Sequence, residues 1–163
     1  MAVSVRRLGQ SDSKSLASLI LGSYDDGIGM WFANRPSGEE VSAIVARKLE
    51  MLREGTIIDN IAVLDGTVVG DCEIVVDKQA GLLGMLVGVD RRGAGIGRAL
   101  LLASLKDAVS RGLALVVAEV EEGNANAISF FTRNGFAISG KDIVERNGKS
   151  CGVIRLEFRT TAE

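Results

Sequence analysis

The chain has 163 residues, 47% of them hydrophobic and 25% charged, with 19 basic and 21 acidic side chains and a net charge of -2. That length supplies a single domain, and that balance excludes a disordered chain and the basic surplus of a dedicated nucleic-acid binder. Histidine is absent and only Cys72 and Cys151 carry thiols, so neither an imidazole base nor a standard structural zinc site can be built, and no metal is expected.

The first residues lack an apolar signal-peptide core, and no apolar run approaches the roughly 18 residues of a membrane span. These features point to a cytoplasmic protein with reduced cysteines and no membrane partner. The 20 glycines punctuate periodic segments without forming a repeat or a linker, so residues 1–163 read as one domain.

Ala2–Leu8 alternates as a short strand, and Ser11–Leu21 reads as a helix with Leu16, Leu19 and Ile20 on one face. Gly22–Pro36 is irregular and rich in glycine, aspartate and aromatics. A second helix begins after Ser37, which has capping-box spacing to Glu40. Its apolar stripe is Val41, Ile44, Val45, Leu49 and Leu52. Ile57–Leu64 and Thr67–Val76 are strands joined by Asp65-Gly66, a pair suited to the positive φ angles of a type I′ turn. Leu82–Val89 is nearly continuous in apolar residues, as a central buried strand should be.

Arg91-Arg92-Gly93-Ala94-Gly95-Ile96-Gly97-Arg98 follows, opening a helix to about Arg111 that Gly112 closes. Leu113–Val120 is a further strand. Asn124 caps a short helix ended by Gly135, and Phe136–Glu145 and Ser150–Phe158 form a hairpin around Asn147-Gly148. The order β-α-α-β-β-β-α-β-α-β-β describes a mixed α/β domain whose central strand–loop–helix–strand unit is a right-handed crossover.

At the glycine loop, residues without Cβ let a ligand approach the backbone, and the free N–H groups of the first helical turn form an anion site with the helix dipole. Arg91, Arg92 and Arg98 add positive charge. A Walker A loop would need Gly-Lys-Ser/Thr, whereas Gly97 is followed by Arg98-Ala99. A nucleotide-dependent oxidoreductase of Rossmann type is also disfavoured. The spacing is GxGxG, roughly 40 residues follow the strand holding Glu119, and the lone tyrosine is Tyr24.

Leu83-Gly84-Met85-Leu86-Val87, followed by Arg92-Gly93-Ala94-Gly95-Ile96-Gly97-Arg98-Ala99-Leu100-Leu101, resembles the acetyl-CoA motif Q/R-x-x-G-x-G/A of the GNAT superfamily of N-acetyltransferases. The motif positions are Arg92, Gly95 and Gly97. Downstream, Asn124-Ala125-Asn126-Ala127-Ile128-Ser129-Phe130-Phe131 and Asn134-Gly135-Phe136 are similar to the family's N-x-x-A-i-x-x-Y…G-F segment. The strong match spans roughly residues 82–140.

That resemblance implies a splayed, mostly antiparallel sheet with pantetheine inserted between the parted parallel strands. It implies backbone contacts to acetyl-CoA from Met85, Leu86 and Val87, with the Val87 N–H as oxyanion donor. Pyrophosphate would be held by amides of Arg92, Gly93, Ala94, Gly95, Ile96, Gly97 and Arg98, with Asn124, Phe130 and Phe131 beside pantetheine. The implied reaction is direct transfer to a primary amine, on a small molecule or a protein, in a ternary complex without an acyl-enzyme. Neither cysteine is then a nucleophile, and a homodimer is expected by analogy.

Two departures stand out. Phe131 occupies the position of the family's frequent tyrosine acid, and the Gly81–Val89 strand carries no acidic residue. Glu73 and Glu119 are the candidate bases, acting through water. The acceptor would meet Tyr24, Asp25 and Trp31 in the segment between the first two helices. The alternative is a catalytically weak or inactive acyl-CoA-binding module of the same fold.

Overall fold

A computed structural model describes residues 2–26, 34–146 and 148–160. Chain order is β1 (Ser4–Arg7), α1 (Ser13–Asp25), α2 (Gly38–Glu54), β2 (Ile57–Leu64), β3 (Thr67–Asp77), β4 (Ala80–Val87), α3 (Ile96–Ser110), β5 (Leu115–Glu121), α4 (Ala125–Arg133), β6 (Ala137–Arg146) and β7 (Lys149–Arg159). The strands form one sheet in the order β1-β2-β3-β4-β5-β7-β6. Only β4 and β5 are parallel, as the right-handed crossover through α3 requires.

Local chemistry sets most boundaries. Ser37 Oγ accepts from the Glu40 N–H at 3.1 Å, and the Ser37 N–H donates to Glu40 Oε1 at 3.0 Å. This reciprocal cap satisfies two orphan amides at the start of α2. The hairpin between β2 and β3 turns through Asp65 and Gly66 at φ 50° and 77°. Asn124 caps α4 by accepting from the Ala127 N–H.

Three boundaries differ from the sequence reading. The first helix begins at Ser13 because Gln10–Asp12 form a 3-10 turn. Asp12 accepts from the Gly9 N–H at 2.9 Å and takes both terminal nitrogens of Arg6 at 2.8 Å. Arg6 hydrogen bonding holds the Asp12 carboxyl below its ordinary range, against burial. That helix also runs through Gly22 to Asp25, with Ser23 Oγ donating to the Ile20 carbonyl. The central strand starts at Ala80 and stops at Val87, giving way to a 3-10 turn over Val89–Arg91. Trp31 and Asn147 lie outside the described residues.

The two faces of the sheet bury different cores. Ile74, Leu83, Leu100, Leu101, Val116, Phe131 and Leu156 pack between the sheet and α3 and α4. Leu16, Ile20, Val41, Val45, Ile61 and Leu86 pack between the sheet and α1 and α2. Alternation along each strand therefore assigns every side chain to one of two opposite faces. No described helix is long and apolar enough to cross a membrane.

Gly81 is required by packing. A Cβ there would lie 2.3 Å from Ile74 Cγ2 in the α3-side core, whereas one at Gly140 would meet nothing within 4 Å. Gly81→Ala is expected to lower unfolding free energy by about 1–3 kcal/mol through overpacking. Gly140→Ala should stay within about 0.5 kcal/mol. Urea denaturation of the two variants measures this, and equal stabilities would refute the packing account.

Candidate active site

The pairing of β4 with β5 covers only Ala80–Leu83 against Leu115–Ala118. Beyond Leu83, β4 keeps its partner β3 through Val87, while β5 continues to Glu121 against β7. The two parallel strands thus part at Gly84 and Glu119. Antiparallel neighbours alternate the direction of their backbone polar groups. Gly88 N–H donates to the Val69 carbonyl at 2.9 Å, so Leu86 also faces β3. Met85 and Val87 therefore turn their N–H and C=O groups toward the gap, where β5 no longer pairs with them. Leu86 instead sends its side chain into the core beneath α1 and α2.

The glycine loop lies at the wide end of the gap. Gly93 and Gly95 adopt φ of 81° and 78°, a region costly for residues with a Cβ. Gly95 occupies the N-cap of α3 and offers no side-chain cap. The first-turn amides of Ile96, Gly97 and Arg98 thus await an outside acceptor at the positive end of the helix. Arg91, Arg92 and Arg98 are exposed around them. This donor set suits a diphosphate.

From the opposite side, α4 brings Phe130 over the same helix start. A Cβ on Gly97 would sit 3.6 Å from the Phe130 ring and 3.8 Å from Val87 Cγ2. Phe131 is buried, edge-on to both Phe130 and Phe136, with ring centroids 5.3 and 5.1 Å apart. It presents no hydroxyl. Asn124 is occupied in capping α4.

Carboxylates line the face beneath α1 and α2. In register, Glu73 of β3 lies beside Gly84 of β4, and Glu119 of β5 lies opposite Arg155 of β7. All four point to the face away from α3, because their neighbours Ile74, Leu83, Ala118 and Ile154 face α3. The parting of β4 from β5 at this level sets the backbones of the two glutamates more than two ordinary strand spacings, roughly 10 Å, apart. Glu119 is half-buried and makes no hydrogen bond or ion pair among the described residues.

Glu73 is held instead. Lys48 of α2 is 4% exposed. Its ammonium Nζ lies 2.9 Å from Asp59 Oδ2, 2.7 Å from Asp71 Oδ2 and 2.9 Å from Glu73 Oε2. Burial alone would depress the Lys48 ammonium; Asp71, Asp59 and Glu73 outweigh it and hold the group well above its ordinary value. Asp59 and Asp71 are 1% and 2% exposed, and their Oδ1 atoms receive no conventional donor. Burial, followed by the charge and hydrogen bond of Asp71, pushes the Asp59 carboxyl up to about 10 against the pull of Lys48.

The sequence marked Glu73 as a candidate base but missed Lys48, Asp59 and Asp71. The available signal was a lysine among the core-facing positions of α2, set against acids interrupting two apolar strands. Of the acceptor-side residues, Tyr24 is half-buried against the core beneath α1 and α2. Asp25 is exposed and accepts from Arg35 Nε at 2.7 Å, a bond that holds its carboxyl below the ordinary range. A cavity of about 180 Å³ lies between α1 and the end of β4, bordered by Ser18, Gly22, Val87, Asp26 and Asp90. Cys72 is buried, and burial pushes its thiol upward; Cys151 places its Sγ 3.6 Å from Glu121 Oε1.

Residues 29–136 match the Acetyltransferase (GNAT) family. The chain belongs to that family. This GNAT acetyltransferase is 46% identical over 52 residues to an L-methionine sulfoximine/L-methionine sulfone acetyltransferase of Pseudomonas aeruginosa, covering 32% of the chain and 30% of the relative. It is 43% identical over 60 residues to a mycothiol acetyltransferase of Amycolatopsis mediterranei, covering 36% of the chain and 20% of the relative. The matched stretches thus span less than a third of either relative. Among solved structures, a GNAT superfamily phosphinothricin acetyltransferase from Sinorhizobium meliloti in complex with AcCoA superposes with a TM-score of 0.80 at 17% identity. That superposition covers 98% of this chain and 89% of the other, and it shows the shared fold.

The raised Asp59 carboxyl has a consequence for stability. Asp59 keeps its proton in the folded enzyme up to about pH 10, while an unfolded aspartate releases it near pH ~3.9. Its folded pKa is raised, so this stabilising contribution is complete below about pH 4 and is lost as pH rises toward 10. Asp59→Asn preserves a donor toward Asp71 without a titrating proton. The variant should gain stability relative to the parent by about 1 kcal/mol or more between pH 5 and pH 8. Chemical denaturation across that range tests this; a difference independent of pH would contradict a protonated Asp59 in the folded protein.

Proposed function

We propose that the enzyme transfers the acetyl group of acetyl-CoA to a primary amine by direct attack within a ternary complex. The observation that carries this reading is the parting of β4 from β5 beside an uncapped, arginine-flanked helix start. The gap offers unpaired backbone groups to an extended pantetheine arm, and the loop offers amides to its diphosphate. By this reading Arg92 to Arg98 hold the phosphates, Met85 and Val87 bond the arm and the thioester end, and Phe130 lies along its far side.

The acceptor then enters from the face beneath α1 and α2, between Glu73 and Glu119. An alkylammonium with pKa near ~10 must lose a proton before its nitrogen can attack. Glu119, with no competing partner, is the better placed carboxylate to take that proton through water. The nitrogen bonds to the thioester carbon and the Val87 N–H steadies the developing oxyanion. The carbon–sulfur bond then breaks and coenzyme A leaves. A thiol with pKa near ~8.5 departs as thiolate and is protonated by solvent, so the ring of Phe131 in place of a phenol does not block the reaction.

Coenzyme A release measured with a panel of primary amines tests the reaction. Release with at least one amine is expected, with no acetylated protein detected by mass spectrometry. Release only with alcohols or thiols would exclude the amine reading, and an acetylated enzyme would exclude direct attack. Glu119→Gln should lower kcat by about 10²-fold while leaving acetyl-CoA affinity within about 2-fold. An unchanged kcat would remove Glu119 from the chemistry.

A second experiment concerns the loop. Gly95→Val forces a branched side chain into a left-handed backbone and into the diphosphate path. Calorimetry should show acetyl-CoA binding weakened at least about 100-fold, equivalent to roughly 2.7 kcal/mol. Retained affinity would mean that the loop is not the diphosphate site.

A further inference from the structure

We propose that Lys48 is a positioning residue that clamps the Glu73 carboxylate over Gly84, at the acceptor side of the gap between β4 and β5. The inference rests on the amine-transfer reading above, and extends it to a residue that the family motifs do not include.

The geometry supports a clamp more than a simple structural pair. Lys48 binds three carboxylates, where one would neutralise it, and holds each within 2.9 Å. Asp59 and Asp71 lie wholly inside, and Asp59 Oδ2 and Asp71 Oδ2 each accept from the ammonium. These two anchor Lys48 from below. Glu73 is the third partner and the one that reaches solvent, with its side chain 17% exposed. It emerges into a groove of about 520 Å³ between α2 and β3, bordered by Ile44, Met51 and Val75.

The two oxygens of Glu73 are differentiated by this arrangement. Oε2 is committed to Lys48 at 2.9 Å. Oε1 lies 3.5 Å from where a Cβ on Gly84 would stand. Because residue 84 is glycine, that oxygen overhangs bare backbone at the position where β4 loses β5. A glutamate on an open sheet face has freedom about three side-chain torsions. Fixing one oxygen on a buried, doubly anchored ammonium leaves the other held over Gly84. Positioning of this kind lowers the entropy lost when the acceptor nitrogen or its bridging water is bound.

The cluster also explains why the clamp is itself immobile. Lys48 projects from the buried stripe of α2, between Val45 and Leu49, both in the core. Asp59 of β2 is the register partner of Glu73, and Asp71 precedes Glu73 by two residues on the same face of β3. One helix and two strands therefore converge on a single nitrogen. Breaking the cluster by removing only the lysine leaves buried uncompensated charge, so Lys48→Met alone is a poor test. Lys48→Met combined with Asp71→Asn removes one cation and one anion and leaves the charge sum unchanged.

The test is a double-mutant cycle on acceptor kcat/KM with acetyl-CoA saturating. It compares the parent, Glu73→Gln, the paired Lys48→Met/Asp71→Asn variant, and all three substitutions together. Each protein is first shown to be folded by its thermal transition. Glu73→Gln should lower acceptor kcat/KM about 10²-fold and the paired variant about 10-fold. In both, the KM for acetyl-CoA should stay within about 2-fold. Since Lys48 acts through Glu73, the triple substitution should be no worse than Glu73→Gln within about 2-fold. A loss of about 10³-fold, the simple product, would show that Lys48 acts independently of Glu73 and would overturn the proposal. Full activity in the paired variant would overturn it as well.

A crystal structure of the paired variant supplies an arm that needs no turnover. The Glu73 carboxylate should leave its place over Gly84, and a carboxylate still at that position would refute the clamp. If the parent releases no coenzyme A with any amine, the amine-transfer reading falls, and the crystallographic arm alone decides whether Lys48 fixes Glu73.

Discussion

The short overlap of β4 and β5 governs the site. Four residue pairs join these strands, and the fifth position of each diverges. A longer overlap would consume the outward backbone groups of Met85 and Val87 in the ladder. A shorter one would separate α3 from the rest of the sheet and release the loop at its N-terminus. The crossover thus has to be long enough to hold the helix and short enough to leave a cleft. The uncapped amides of α3 lie toward one face of the sheet, and Glu73 and Glu119 lie on the other.

Electrostatics divides along the same line. The α3 side carries uncapped amides and arginines, which suit phosphate oxygens. The opposite side carries Glu73 and Glu119 and the buried Lys48 cluster. Burying one ammonium and three carboxyl groups is costly in desolvation and is offset only where each polar atom is paired. Burial and the neighbouring Asp71 push the Asp59 carboxyl up to about 10, which favours its neutral form and reduces the buried negative charge facing Lys48. The cost has no evident return in stability alone; a hydrophobic replacement of similar volume commonly does as well.

Much of this arrangement was readable in the residues. The two Asp/Ser-type signals, the Asp65-Gly66 turn and the Ser37–Glu40 cap, are local, and their chemistry is contained in adjacent side chains. The glycine loop was readable because three alternating glycines before an apolar helical stripe have few other uses. What was not readable depended on register. That Glu73 and Glu119 fall on one row with a glycine between them requires knowing which residue of β3 faces which of β4, and where the parallel pairing ends. Lys48 was hidden for a related reason. A lysine in an amphipathic helix ordinarily reaches water with its stem packed, and only the pairing of β2 with β3 reveals acids waiting beneath it. The end of the central strand was misplaced because Val89 continues the apolar run, while Gly88 bonds to Val69 and lets the chain turn.

The contact of α3 with β3 has an implication for how the site responds to its ligand. Gly70 lies directly under the first turn of α3, where a Cβ would stand 2.7 Å from Leu100 Cδ1 and 3.4 Å from Ile96 Cγ2. Absence of that atom lets the helix settle against the sheet at the very turn that carries the anion-binding amides. The uncapped first turn of α3 is therefore seated closely on β3, with its orientation fixed by packing. Substitutions on the opposite face, in α1 and α2, can then accumulate without disturbing that contact.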